Sequence, residues 1–234
     1  LAEVLINESI RNNKKIIIWT KGDFYYSIPK NENIIEMQYS MYQTKSVQNT
    51  FSLPVIINDP LIKLSRKAIK VRDYNNKPSV GFCGQTDINF AISLIKYFKL
   101  LFENFKFYFK ISDFYTGPML PPTYIRAKIL NLLEKSDLIE TGIIRRQKYQ
   151  GGISKNDTLY NKLNMEFLNN IDNNDYTLCI RGRGNFSARF YETLSLGKIP
   201  IFIDTDCMLP FSKEINWEKH LIFIKQTELK KIEE

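Results

Sequence analysis

The stretch from residue 176 to 203 constrains the fold more than any other part of the chain. An apolar run at 176–180 leads into Arg181-Gly182-Arg183-Gly184-Asn185-Phe186-Ser187, then a short helix-forming segment, then a second apolar run at 199–203. Ser187 is a good N-cap, Gly197 a good C-terminal stop, and Pro200 keeps the helix from continuing. The order is strand, glycine-rich basic loop, helix, strand. Upstream the alternation continues: a strand at 79–83, a helix at 87–105, a strand at 106–111, a helix at 123–135, a strand at 138–146 and a helix at 159–171. A last strand is expected at 221–224. Such alternation argues for an α/β fold whose parallel sheet is covered on both faces. Ile88, Ile92, Ile95, Phe98 and Phe102 are expected to face inward from one helix, and Ile125, Ile129, Leu132 and Leu133 from the next. In such sheets ligands bind beyond the carboxyl ends of the strands, which is where the arginine loop falls.

The first 76 residues read as a smaller α/β unit. A helix is expected at 1–12 with Leu1, Val4, Leu5 and Ser9 on one face. Strands are expected at 15–19, 34–41 and 55–57, with a turn at Lys21-Gly22-Asp23 after the first. The charged segment 66–77 closes on Asn75-Asn76-Lys77-Pro78 and reads as a linker. The expected division is therefore residues 1–76 and residues 77–234.

Arg181, Arg183 and Arg189 surround one predicted helix N-terminus. That end already carries about half a positive charge, so three more cations make little sense for stability alone. An anion held by free N–H groups and guanidinium forks would account for them, a diphosphate foremost; a solvated basic loop is the alternative. The whole chain is basic, with Lys+Arg 33 against Asp+Glu 25 and a net charge of +8. This favours anionic partners, including a peripheral membrane surface. No nucleic-acid-binding signature appears. The 3 cysteines are widely spaced, with no companion histidines to form a metal site. Cys83 and Cys179 sit in apolar runs as small buried hydrophobes. They suit a reducing, cytoplasmic setting. No transmembrane run or signal peptide is visible, and the leading Leu1 in place of Met leaves an upstream anchor open.

From Tyr176 onward the chain resembles the exostosin-like glycosyltransferases, family 47. The matching residues are Tyr176 to Gly182, then Ser187-Ala188-Arg189-Phe190-Tyr191-Glu192-Thr193-Leu194, then Gly197-Lys198-Ile199-Pro200-Ile201. Asp204 and Asp206, Leu209-Pro210-Phe211 and Trp217 follow. Upstream, Trp19 to Phe24 is similar to a tryptophan-glycine-aspartate turn of the family, and Arg126 to a recurring arginine. Ile180 stands where the family usually has proline, and no histidine neighbours Asp23. The resemblance implies a GT-B-like fold of two Rossmann-like halves with parallel sheets, the N-terminal half abbreviated. Residues 77–234 would bind the nucleotide sugar and residues 1–76 the acceptor. It implies an inverting transferase that takes a sugar from a nucleotide sugar, usually a UDP-sugar, to a glycan acceptor in surface or secreted polysaccharide synthesis, with no cofactor and no obligatory metal.

On that reading Arg181, Arg183 and Arg189 clamp the diphosphate, with Gly184 and Ser187 beside it. Glu192 accepts the ribose hydroxyls or, alternatively, pairs with Arg189 three residues away. Asp204 and Asp206 contact sugar hydroxyls or are plain turn carboxylates. Asp23 is the general-base candidate, ahead of Asp87 and Asp59. His220, the one histidine, is read as structural, and Phe114, Tyr115 and Tyr124 as stacking or core residues. Replacing Arg189 by alanine is expected to weaken nucleotide binding and leave the fold intact, since the residue lies at a helix end. Two other readings stand beside this one: a GDP-fucose-dependent transferase, and a non-catalytic glycan-binding module of the same fold.

Overall fold

The computed structural model describes residues 2–86, 89–117, 121–147 and 158–233. The first part of the chain runs through α1 (Ala2–Arg11), β1 (Ile16–Thr20), β2 (Tyr25–Tyr26), β3 (Ile34–Gln38), β4 (Thr50–Ser52) and α2 (Pro60–Lys63). β1, β3 and β4 lie side by side, all parallel. α1 buries Ser9, as expected, together with Ile6, while Val4 and Leu5 stay exposed, so the helix is rotated about Ser9 from the expected face; Leu1 lies outside the described residues. The Ser9 hydroxyl sets that rotation, because it donates to the Lys14 carbonyl (2.5 Å) and ties the helix to the turn before β1. The strand expected at 55–57 is irregular, and the third strand forms at Thr50–Ser52 instead. Asp59 caps α2 through the Leu61 N–H (2.9 Å), with Pro60 preset for the first turn.

The second part contains β5 (Ser79–Gln85), α3 (Phe90–Tyr108), β6 (Phe114–Tyr115), α4 (Pro122–Leu133), β7 (Glu140–Arg146), α5 (Thr158–Asp172), β8 (Tyr176–Cys179), α6 (Ala188–Ser195), β9 (Ile199–Asp204) and β10 (Ile222–Lys225). Five strands form a parallel sheet in the order β10-β9-β8-β5-β7. The side chains of β8 and β9 alternate as the period of two requires. Leu178, Ile201 and Ile203 meet Ile125, Ile129, Leu130 and Leu133 of α4 on one face. Cys179 and Phe202 meet Phe190 of α6 on the other, with Trp217 packed beside them. All three cysteines are buried and free. Burial pushes the thiols of Cys179 and Cys207 up to about 12, so they remain neutral. The fold is thus α/β and GT-B-like, with a three-stranded parallel sheet in the N-terminal part and a five-stranded parallel sheet in the C-terminal part.

α3 departs from its expected orientation. Ser93 and Asn104 are its buried residues, while Ile92, Ile95, Phe98 and Phe102 are exposed; Ile88 lies outside the described residues. The cause is a polar anchor. Asn104 donates to the Gly117 carbonyl (2.8 Å) and accepts from the Thr116 N–H (3.1 Å) and hydroxyl (2.7 Å). A buried amide satisfied three ways fixes the helix rotation more firmly than an apolar stripe with nothing to pack on. Residues 106–111, expected as a strand, continue this helix and end it in a left-handed turn at Lys110 (φ 57°). β6 then pairs antiparallel with β2, carrying a piece of the second part onto the first.

Candidate functional site

Strand order reverses between β5 and β8, and chain geometry makes the carboxyl side of such a switch point a natural crevice. Two arginines span it. Arg189 donates to the carbonyls of Cys83 at the end of β5 (2.5 Å) and Leu178 of β8 (3.2 Å). Its guanidinium also lies 4.2 Å from the Phe82 ring centre and 5.3 Å from that of Phe167. Arg126 of α4 donates to the Gln85 carbonyl (3.2 Å) and the Arg181 carbonyl (2.6 Å).

Arg181 points the other way, toward the N-terminal half. It is buried, with 6 % of its surface exposed. It donates to the Tyr42 hydroxyl (3.2 Å), the Thr116 carbonyl (3.2 Å) and the Arg183 carbonyl (2.8 Å), and its Nε is buried without a partner. Arg183 is exposed and stacks 4.8 Å from the Phe24 ring. Among the described residues neither Arg181, Arg183 nor Arg189 forms an ion pair. Arg11, Arg66, Arg72, Arg145 and Arg146 each have a carboxylate partner. Three guanidinium groups without an ion pair among the described residues thus gather in the loop after β8 and the first turn of α6.

Asn185 locks this loop to the other half. Its N–H bonds Ser40 Oγ (2.8 Å), and its side-chain amide donates to the carbonyls of Met41 (3.0 Å) and Asp206 (3.1 Å). Thr205 donates to its Oδ1 (2.8 Å). Gly184 sits where the loop meets the turn after β1; a Cβ there would stand 3.0 Å from the Asp23 Cα and 2.5 Å from the Phe186 ring. The absence of a side chain thus lets Asp23 approach the arginine loop, although the two are far apart in sequence. Asp23 is exposed. Ser187 occupies the N-cap position of α6 with extended backbone (φ −136°, ψ 115°), but its hydroxyl makes no capping bond. The first-turn N–H groups of a helix have no partners within the helix.

The other expected residues fall as follows. Burial raises the Glu192 carboxyl above its ordinary value, with Arg189 opposing, but the two form no ion pair among the described residues. Asp204 accepts from the Cys207 N–H (3.1 Å) and is likewise raised by burial. Asp206 holds the N–H (3.1 Å) and hydroxyl of Thr44, which makes it a tie between halves. Asp59 is used as a helix cap, His220 is exposed, and Asp87 lies outside the described residues. Phe114 and Tyr115 form β6, and Tyr124 packs on Phe90 (6.2 Å). Sequence reasoning missed Tyr42, Asn185 and Gly117. Only the glycine gave a signal, next to a proline in a loop.

Two substitutions test this geometry. Gly117 has a φ of 80°, and a Cβ there would overlap Tyr42 Oη and stand 2.6 Å from Arg181 Nη1. Gly117→Ala is expected to destabilise by about 2–4 kcal/mol, the sum of left-handed strain and overpacking, read as a lowered urea midpoint. Arg189→Ala is expected to destabilise by about 2–4 kcal/mol, from two lost charged hydrogen bonds and ring contacts. This revises the sequence expectation of an intact fold: the guanidinium is inserted between strand ends, and burial lowers its pKa. An unchanged thermal midpoint would return Arg189 to the helix surface.

The architecture is that of a GT-B-like protein whose two halves meet on one basic loop. Residues 118–234, half of the chain, match the Exostosin GT47 domain, and the chain belongs to this family of glycosyltransferases. The matched span contains α4 through β10 with the whole arginine loop; β1 to β5 and α3 precede it. A search of curated proteins finds no match.

Proposed function

We propose that this chain is an inverting glycosyltransferase that carries a sugar from a UDP-sugar to a glycan acceptor in surface or secreted polysaccharide synthesis, with no metal required. Residues 77–234 hold the donor and residues 1–76 the acceptor. One observation carries the reading: among the described residues Arg181, Arg183 and Arg189 form no ion pair, and they lie beside a helix start whose cap hydroxyl is unused. A buried unpaired charge costs several kcal/mol in order of magnitude, and a diphosphate would offset it.

In this mechanism Arg181 and Arg183, with the N–H groups following Ser187, bind the diphosphate and stabilise the charge that develops as the glycosidic bond breaks. Arg189 holds β5 and β8 in register beneath it and adds its charge. Gly184 lets the loop close on Asp23, which removes the proton from the acceptor hydroxyl. Glu192 accepts the ribose hydroxyls, and Asp204 sits near the sugar. The test is nucleotide release from UDP-sugars and GDP-fucose by the purified protein, with magnesium or with chelator. Release from a UDP-sugar in chelator supports the proposal. Release from GDP-fucose alone would shift the donor, and a folded protein that releases nothing would be a non-catalytic module.

A further inference from the structure

The face of α3 that turns away from the protein is apolar and exposed. Ile95, Phe98, Phe102, Phe105 and Phe109 are 70 %, 59 %, 59 %, 51 % and 63 % exposed. Their spacing alternates three and four, so they form one straight ridge along the helix and its last turn. Leu94 and Tyr108 are exposed beside it. A folded chain does not leave such a ridge in water without a use for it.

The flank of the ridge identifies the occupant. Lys96, Lys99 and Lys110 are exposed along one side, and Lys106 lies 4.7 Å from the Phe102 ring while pairing with Glu103 at 3.1 Å. Glu103 is the one acidic residue of the helix. A second copy packed antiparallel on this ridge would bring its lysine flank against the same flank of a protein of net charge +8, and like charges so placed repel. An anionic bilayer surface complements both parts: aromatic side chains enter the boundary of headgroups and acyl chains while flanking lysines reach the phosphates. No described helix is long and apolar enough to cross a membrane, so the contact lies in the interface.

We propose that α3 docks the protein on anionic phospholipid membranes through this aromatic ridge and its lysines. Asn104 ties the same helix to Thr116, whose carbonyl receives Arg181, so docking sets the arginine loop at a fixed height above the lipid.

The test is co-sedimentation with vesicles of phosphatidylcholine alone and of phosphatidylcholine with phosphatidylglycerol. It uses the wild type, Phe98→Ser/Phe102→Ser and Lys99→Glu/Lys110→Glu. Both pairs change exposed side chains, and thermal unfolding checks that each variant folds. The wild type is expected to bind the anionic vesicles and not the neutral ones. Each variant should lose about tenfold or more in partitioning, and high salt should release the wild type. No binding of the wild type to anionic vesicles would overturn the proposal, as would binding that both variants retain. A concentration-dependent dimer that Phe98→Ser/Phe102→Ser dissolves would equally overturn it and give the ridge to a second copy.

Discussion

Arg181→Met is expected to lower UDP affinity by about 10- to 100-fold, the equivalent of one to two charge-assisted hydrogen bonds, while the unfolding midpoint of the ligand-free protein moves little. The two halves of that statement come from opposing terms. Removing the guanidinium gives up its bonds to Tyr42, Thr116 and Arg183, each worth roughly 1.5–3 kcal/mol because the donor is charged. It also removes a buried cation with no ion-pair partner among the described residues, whose desolvation is of comparable or larger size. Methionine fills much of the same volume without charge. A purely structural strut would show the reverse pattern, a large drop in midpoint with unchanged nucleotide affinity in the protein that stays folded. Calorimetric titration beside thermal unfolding of the same preparation separates the two.

Asp23→Asn is the second large effect. Asparagine keeps the size of the side chain and removes its basicity, so the rate of transfer is expected to fall by about 10²- to 10⁴-fold. UDP affinity should hold, because the Asp23 carboxylate is assigned to the acceptor hydroxyl and not to the diphosphate, which the arginines hold. Single-turnover transfer to a glycan acceptor reads the loss. A rate within a factor of about three of the wild type, set against the range expected of a general base, would move the base to another residue.

The C-terminal half was largely legible because its elements obey one period each. Strands near residues 79, 140, 176, 199 and 222 appear as short apolar runs, and α4 and α6 show helical spacing and clear stops. α3 misled for a physical reason. An apolar stripe normally points to a core, and here the buried hydrogen bonds of Asn104 turn it outward. The alternation of lysine and aromatic residues at 106–111 imitated a strand while the helix ran through it. Residues 55–57 are apolar but have no ladder partner among the described residues, and a run without a strand partner stays irregular. At the candidate site, the basic loop and its helix could be read directly. The contacts of Arg181 with Tyr42, of Asn185 with Ser40 and Met41, and of Gly184 with Asp23 could not. They join residues separated by more than half the chain, and no local pattern encodes such a meeting.

The most direct measurement of the central claim is calorimetric titration of the wild-type protein with UDP in the presence of chelator, repeated with GDP. The account predicts saturable binding of UDP without metal, with GDP much weaker. If no heat of binding appears for either nucleotide on a protein shown to be folded, the three arginines hold no diphosphate and the proposed donor site is wrong.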